Sequence, residues 1–154
     1  MSINKRKPPF IGDIQQSKRS QETHHTNFYR GRHVFIPFTN WVSILTLNGV
    51  SDTGWTDKNV SANVSADAFA VVLLVFFQDT ASATVNTFAK FRENGSSSDG
   101  TGWVHGGHLN SQWRSQQLVI PIDDNKIFEY NIEASGANTA TLHVYLIGYY
   151  SKIT

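Results

Sequence analysis

Two histidines, His105 and His108, stand three residues apart in the stretch Trp103-Val104-His105-Gly106-Gly107-His108. Imidazoles at that spacing can share a zinc or copper ion once a third ligand joins them. The only carboxylate close in sequence is Asp99, and it completes no recognisable ligand spacing. We therefore expect polar loop residues there and no metal. Asp123-Asp124 is the one adjacent carboxylate pair. Acid–base catalysis needs two carboxyls with separated pKa values in a cleft, whereas this pair sits among turn-forming residues that bond backbone groups. Asp52, Asp57 and Asp99 lie beside or near Gly or Ser, read as turn residues, and lack a calcium-loop spacing. No serine occupies Gly-x-Ser-x-Gly, and the glycines at 94–107 do not form a phosphate-binding loop. With no Cys, thiol nucleophiles, disulfides and zinc–thiolate sites are excluded. The expectation is a protein with no catalytic residues, no cofactor and no metal, hence not an enzyme.

Aromatic residues offer a different chemistry. Trp103 lies in the glycine-rich stretch and Trp113 follows it, with Asn110, Gln112 and Gln116 nearby. Indole rings can stack on the C–H face of a sugar while amides orient its hydroxyls. Trp103, His105, His108 and Trp113 are thus the candidate ligand-binding set. The competing role is a subunit contact, for which Trp is equally suited. Trp41 and Trp55 fall at expected strand ends, and Trp55 reads as core.

The elements that would position these residues are strands. Period-two or continuous β-rich runs are found near 28–38, 42–48, 58–64, 68–78, 84–92, 114–122, 126–133 and 139–150. Phe128, Tyr130 and Ile132 alternate with more polar neighbours, as in a half-buried antiparallel strand. Residues 122–126, Ile-Asp-Asp-Asn-Lys, read as a hairpin turn, and 94–107 read as one long loop. About eight strands with frequent turns mean a β-sandwich, and we favour the jelly-roll type. Residues 69–77 are apolar on both faces. One face fills a core, and the other, with Val72, Leu74 and Phe76, must also leave water. The last strand presents Tyr145, Ile147 and Tyr149 on its outer side. These six residues are the interface candidates.

Composition agrees with a folded chain. Of 154 residues, 40% are hydrophobic and 16% charged, enough apolar matter for one core but little charge. No apolar run reaches the length of a membrane-spanning helix, and no membrane partner is expected. The basic N-terminal residues lack an apolar stretch behind them, so no secretory leader is expected. The net charge of +1 hides an asymmetry. Residues 1–32 carry Lys5, Arg6, Lys7, Lys18, Arg19, Arg30 and Arg32 against Asp13 and Glu22, a net +5. The remainder carries six basic and ten acidic residues, a net −4. We expect a basic arm over 1–27 and a jelly-roll domain over 28–154. The arm's cations can meet the acidic bodies of neighbouring copies. Seven cations are few for packaging a genome, so nucleic acid ranks behind protein as their partner.

The body resembles a jelly-roll module of phage and phage-related structural proteins. The resemblance runs through Gly54-Trp55-Thr56-Asp57, Val64-Ser65-Ala66-Asp67-Ala68-Phe69-Ala70-Val71 and Phe91-Arg92-Glu93-Asn94-Gly95-Ser96. It continues through Ser111-Gln112, Val119-Ile120-Pro121-Ile122-Asp123, Phe128-Glu129-Tyr130 and Gly148-Tyr149-Tyr150, about two-thirds of the chain. It implies a virion component: a capsid decoration, head-fibre or tail receptor-binding domain of a bacteriophage or other virus, often a homotrimer. Its partners would be further copies of itself and other virion proteins. A lectin-like module that recognises a host glycan is the alternative.

Overall fold

The computed structural model describes residues 33–81, 86–107 and 109–153. Residues 1–32, with the expected arm and the seven assembly cations, and His108 lie outside the described residues. Eight strands follow one another: β1 (His33–Val50), β2 (Thr56–Asn59), β3 (Ala68–Asp79), β4 (Phe88–Glu93), β5 (Gly102–His105), β6 (Arg114–Pro121), β7 (Ile127–Glu133) and β8 (Ala140–Lys152). They form two four-stranded sheets, ordered β1-β8-β3-β6 and β2-β7-β4-β5. Within them β1 pairs with β8, β2 with β7, β3 with β6 and β4 with β5, all antiparallel. These four pairs are nested, as in one long hairpin. Rolling that hairpin up brings β8 against β3 and β7 against β4. The result is an all-β sandwich of jelly-roll type. Among the described residues no helix is long and apolar enough to cross a membrane.

The alternation of the strands explains the core. Val71, Leu73, Val75 and Phe77 of β3 point inward with Leu142, Val144 and Leu146 of β8. Ala89, Phe91, Val104, Phe128 and Ile132 meet them from the second sheet. β3 is central, flanked by β8 and β6. Its inner side chains fill the core, and of its outer ones Val72 is buried while Leu74 and Phe76 are half-buried, which accounts for its unbroken apolar sequence.

Three expectations are corrected. The strands expected at 28–38 and 42–48 are, over the described residues, one strand. β1 runs through both, with register irregularities between Pro37 and Val42 and again after Ser43 and Leu47. Its place at a sheet edge is what lets it hold a proline. The stretch 94–107 contains β5, paired to β4 through Ala89–Val104 and Lys90–Trp103. Residues 122–126 do make a tight turn, with Asp123 N–H donating to the Ile127 carbonyl at 3.1 Å and Lys126 N–H to that of Asp123 at 3.0 Å. The strands it joins belong to different sheets, so it is a crossing of the sandwich and not a hairpin.

Candidate functional site

The outer faces of the two sheets differ in chemistry. On the second sheet, charges pair with one another. The Lys90 ammonium, in a residue only 6% exposed, lies 2.6 Å from Glu133 and 3.1 Å from Asp99. The bond to Glu133 and the second to Asp99 hold its pKa above the ordinary lysine value against the cost of burial. Arg92 pairs with Glu129 at 2.6 Å and donates to the Ser98 carbonyl at 2.8 Å. Its guanidinium also lies 3.8 Å over the Trp55 ring. Trp55 is therefore not a core residue, as the sequence suggested, but a half-buried platform for a cation. Trp103 stacks on Phe88 with centroids 5.7 Å apart, and His105 meets the same ring edge-on at 4.9 Å.

The first sheet presents an aromatic outer face. Tyr145 packs edge-on to Phe76 at 5.9 Å and lies 6.2 Å from Trp41. Trp113 lies 5.3 Å from His143, whose Nε2 is 3.1 Å from Asn48 Oδ1. Phe76, Trp113, His143 and Tyr145 line an open recess of about 180 Å³. At the other end of the sheet Phe35 packs on Tyr150 and Tyr150 on Phe69. Trp41, Trp113, Val119 and Phe35 remain 61%, 46%, 49% and 40% exposed.

The three candidate ligand residues that are described, Trp103, His105 and Trp113, do not come together. Trp103 and His105 sit on β5 in the second sheet, whereas Trp113 leads into β6 of the first. With Val104 in the core, alternation turns Trp103 and His105 outward, away from Trp113. The interface candidates also divide. Val72 is sealed within the chain at 1% exposure. It pairs with Gly148, which has no room for a Cβ because the Phe35 ring lies across it. Leu74, Phe76 and Tyr145 remain half-buried on the outer face. The expected common face of Tyr145, Ile147 and Tyr149 is broken by a register shift, since Leu73 pairs with Leu146 but Val72 with Gly148. Ile147 is the extra residue. Beyond it the alternation reverses, so Tyr149 packs on the core while Tyr150 turns out to meet Phe35.

The carboxylates serve the backbone. Asp123 accepts from Asn94 Nδ2 at 2.9 Å and from the Ile127 N–H at 2.8 Å. Burial pushes its pKa up, but these bonds outweigh burial and hold it below the ordinary value. Asp52 accepts from the Ala134 N–H at 2.6 Å. Among the described residues no three His, Asp or Glu side chains converge to hold a metal ion. Of the residues lining the recess, sequence reasoning placed Phe76 and Tyr145 among the interface candidates and left His143 out of both sets. The signal for His143 was present in the alternation of β8, which puts it on the face of Tyr145.

No known family model matches the chain, and a search of curated proteins returns no match. Among solved structures, the coat protein of tobacco streak virus is similar over 82% of this chain and 90% of its own, with 10% identity and a TM-score of 0.41. Desmodium yellow mottle tymovirus is similar over 100% of this chain and 98% of its own, with 15% identity and a TM-score of 0.39. An arabinose-bound α-L-arabinofuranosidase is similar over 81% of this chain but 22% of its own, with 15% identity and a TM-score of 0.39.

Proposed function

We propose that this chain is a non-enzymatic structural subunit of a virion, of the capsid-associated, decoration or fibre type. The observation that carries the reading is the outer face of the first sheet. It exposes large apolar and aromatic side chains, and the strands of that sheet hold a single carboxylate, the buried Asp79 at the end of β3. A jelly roll with such a face suits assembly of many copies. The exposed carboxylates Asp52, Asp57, Asp67, Glu93, Asp99 and Asp124 belong to the second sheet and to loops, and give the cations of residues 1–32 on a neighbouring copy a complementary surface. A closed ring, first of all a trimer, would bury the apolar face. The second reading, a lectin-like module that binds a host receptor glycan, draws support from the recess beside Trp113.

Light scattering on the full chain and on the chain lacking residues 1–26 tests the first reading. The full chain is expected to form a closed oligomer or particle. The truncated chain should keep the same circular-dichroism spectrum but lose mass, and high salt should weaken the full-length assembly because the arm contacts are ionic. A mass of 17.2 kDa for the full chain under every condition would remove assembly from the function.

A further inference from the structure

The recess on the first sheet has a neutral lining. Across the sheet, Thr46, His143, Phe76 and Ser115 are directly paired neighbours and form one row. Ser43, Tyr145, Leu74 and Gln117 form the next. None of these eight side chains is a carboxylate, a lysine or an arginine. Arg114, the one basic residue of β6, lies instead beside Gly107 and donates to Gln112 Oε1 at 2.9 Å. An anionic ligand would find no cation in the recess. A cation would find aromatic faces but no counter-charge.

The walls contact one another. Tyr145 is fixed at 90° to Phe76, and Asn48 holds the His143 ring against which Trp113 leans. The aromatic lining of Phe76, Trp113, His143 and Tyr145 is thus flanked within the sheet by the hydroxyl and amide residues Thr46, Ser115, Ser43 and Gln117. That is the complement of an uncharged amphipathic ring, with C–H faces on one side and hydroxyls at its edge. At about 180 Å³ the recess is smaller than the roughly 300–1,000 Å³ of drug-sized pockets and suits one ring at a time.

We propose that this recess is a subsite for a single neutral pyranose unit of a glycan. Trp113 and Tyr145 are the stacking walls and His143 is a hydroxyl partner. The inference rests on the second reading above and requires that any assembly leave this part of the face open. It also relocates the site: Trp103, on the other sheet, takes no part.

The test titrates the full chain with methyl α-glucoside, methyl β-galactoside and N-acetylglucosamine by saturation-transfer NMR. Lactose and 3′-sialyllactose serve as a neutral and anionic pair, and light scattering is run on the same samples. At least one neutral pyranoside should bind saturably, with a Kd on the order of 1 mM. Trp113→Ala should weaken that binding about tenfold or more, or one RT ln 10 step of about 1.4 kcal/mol. Trp113→Phe should retain most of it, and Trp103→Ala should leave it unchanged. Sialyllactose should bind no better than lactose. The proposal is overturned if no neutral pyranoside binds, or if Trp113→Ala binds as well as the wild type. It is overturned equally if Trp113→Ala lowers the assembly mass, for the recess is then a contact between copies. A monomer that binds sugar would defeat the assembly reading alone, and an assembling chain that binds none would defeat this one alone.

Discussion

Replacing Asp79 by alanine should lower the melting temperature by about 10 °C, a loss of about 3 kcal/mol for a domain of this size. The carboxylate is fully buried at the end of β3. It accepts bonds from the Ala81 N–H at 2.8 Å, the Ser135 N–H at 2.9 Å, the Thr139 hydroxyl at 3.0 Å and the Ser135 hydroxyl. Its own carbonyl accepts from the Ser111 N–H at 2.8 Å. One residue thus fastens the central strand to the β7–β8 connection and to the segment that carries Trp113. Alanine removes the acceptor of these part-buried donors, the Ser135 N–H foremost, and losing such an acceptor costs about 1–3 kcal/mol per donor left unsatisfied.

The same contacts give a pH signature. Burial pushes the Asp79 carboxyl up, but the four hydrogen bonds outweigh it and hold the pKa below the ordinary value of 3.8. A carboxyl depressed in the folded state contributes stability that is present above its unfolded pKa of about 3.9 and is lost as pH falls through the folded value. The gap in melting temperature between wild type and Asp79→Asn should therefore be widest at neutral pH and close on acidification below about pH 4. A gap that stays constant from pH 7 to pH 3 would show that the carboxylate charge contributes nothing. Acid sensitivity of the connection next to Trp113 would also bear on the recess, whose wall depends on that segment.

Much of this architecture was legible because period two is a strong signal where a strand has one wet face. β7 and the first half of β8 alternate cleanly, and the sequence assigns their inward residues correctly. β3 was legible for the opposite reason, since an apolar run of strand length has few other homes. What escaped was set by tertiary contact. The four residues of β5 carry no alternation long enough to recognise, and they pair because β4 offers an edge beside them. The register shift at Ile147 moves Tyr149 from the outer face to the core, and nothing in the local sequence announces a one-residue bulge. The candidate site suffered most. Trp103 and Trp113 are close in sequence but on different sheets, whereas Trp113, Phe76, His143 and Tyr145 come from three strands' worth of chain and meet only after the roll closes. Trp55 read as core, and nothing local showed it as a half-buried partner of Arg92, which lies on β4, far along the chain.

The separation of Trp103 from Trp113 is itself enforced by packing, and Gly106 is where it can be broken. A Cβ there would stand 1.9 Å from Thr87 Oγ1, 3.2 Å from Thr87 Cβ and 3.4 Å from the Phe77 ring. The backbone cannot slide away, because the Gly106 N–H donates to the Thr87 carbonyl at 2.8 Å. Gly106→Ala should cost about 3 kcal/mol by overpacking, far more than Gly95→Ala. Gly95 faces open space, so its replacement costs only the roughly 1–2 kcal/mol of a left-handed backbone. Thr87 supplies an internal control. Its buried hydroxyl has no hydrogen-bond partner among the described residues, so Thr87→Ala alone should change stability by less than about 1 kcal/mol. Removing that oxygen leaves the new methyl of Gly106→Ala facing Thr87 Cβ at a distance that small shifts can relieve. The double variant should recover about 2 kcal/mol relative to Gly106→Ala, read by urea denaturation as a double-mutant cycle. Additive losses would mean that the strain at Gly106 lies in its backbone or against Phe77. A recovery would establish that Gly106 is present for its close approach to Thr87, where the chain leaves β5 beside the start of β4.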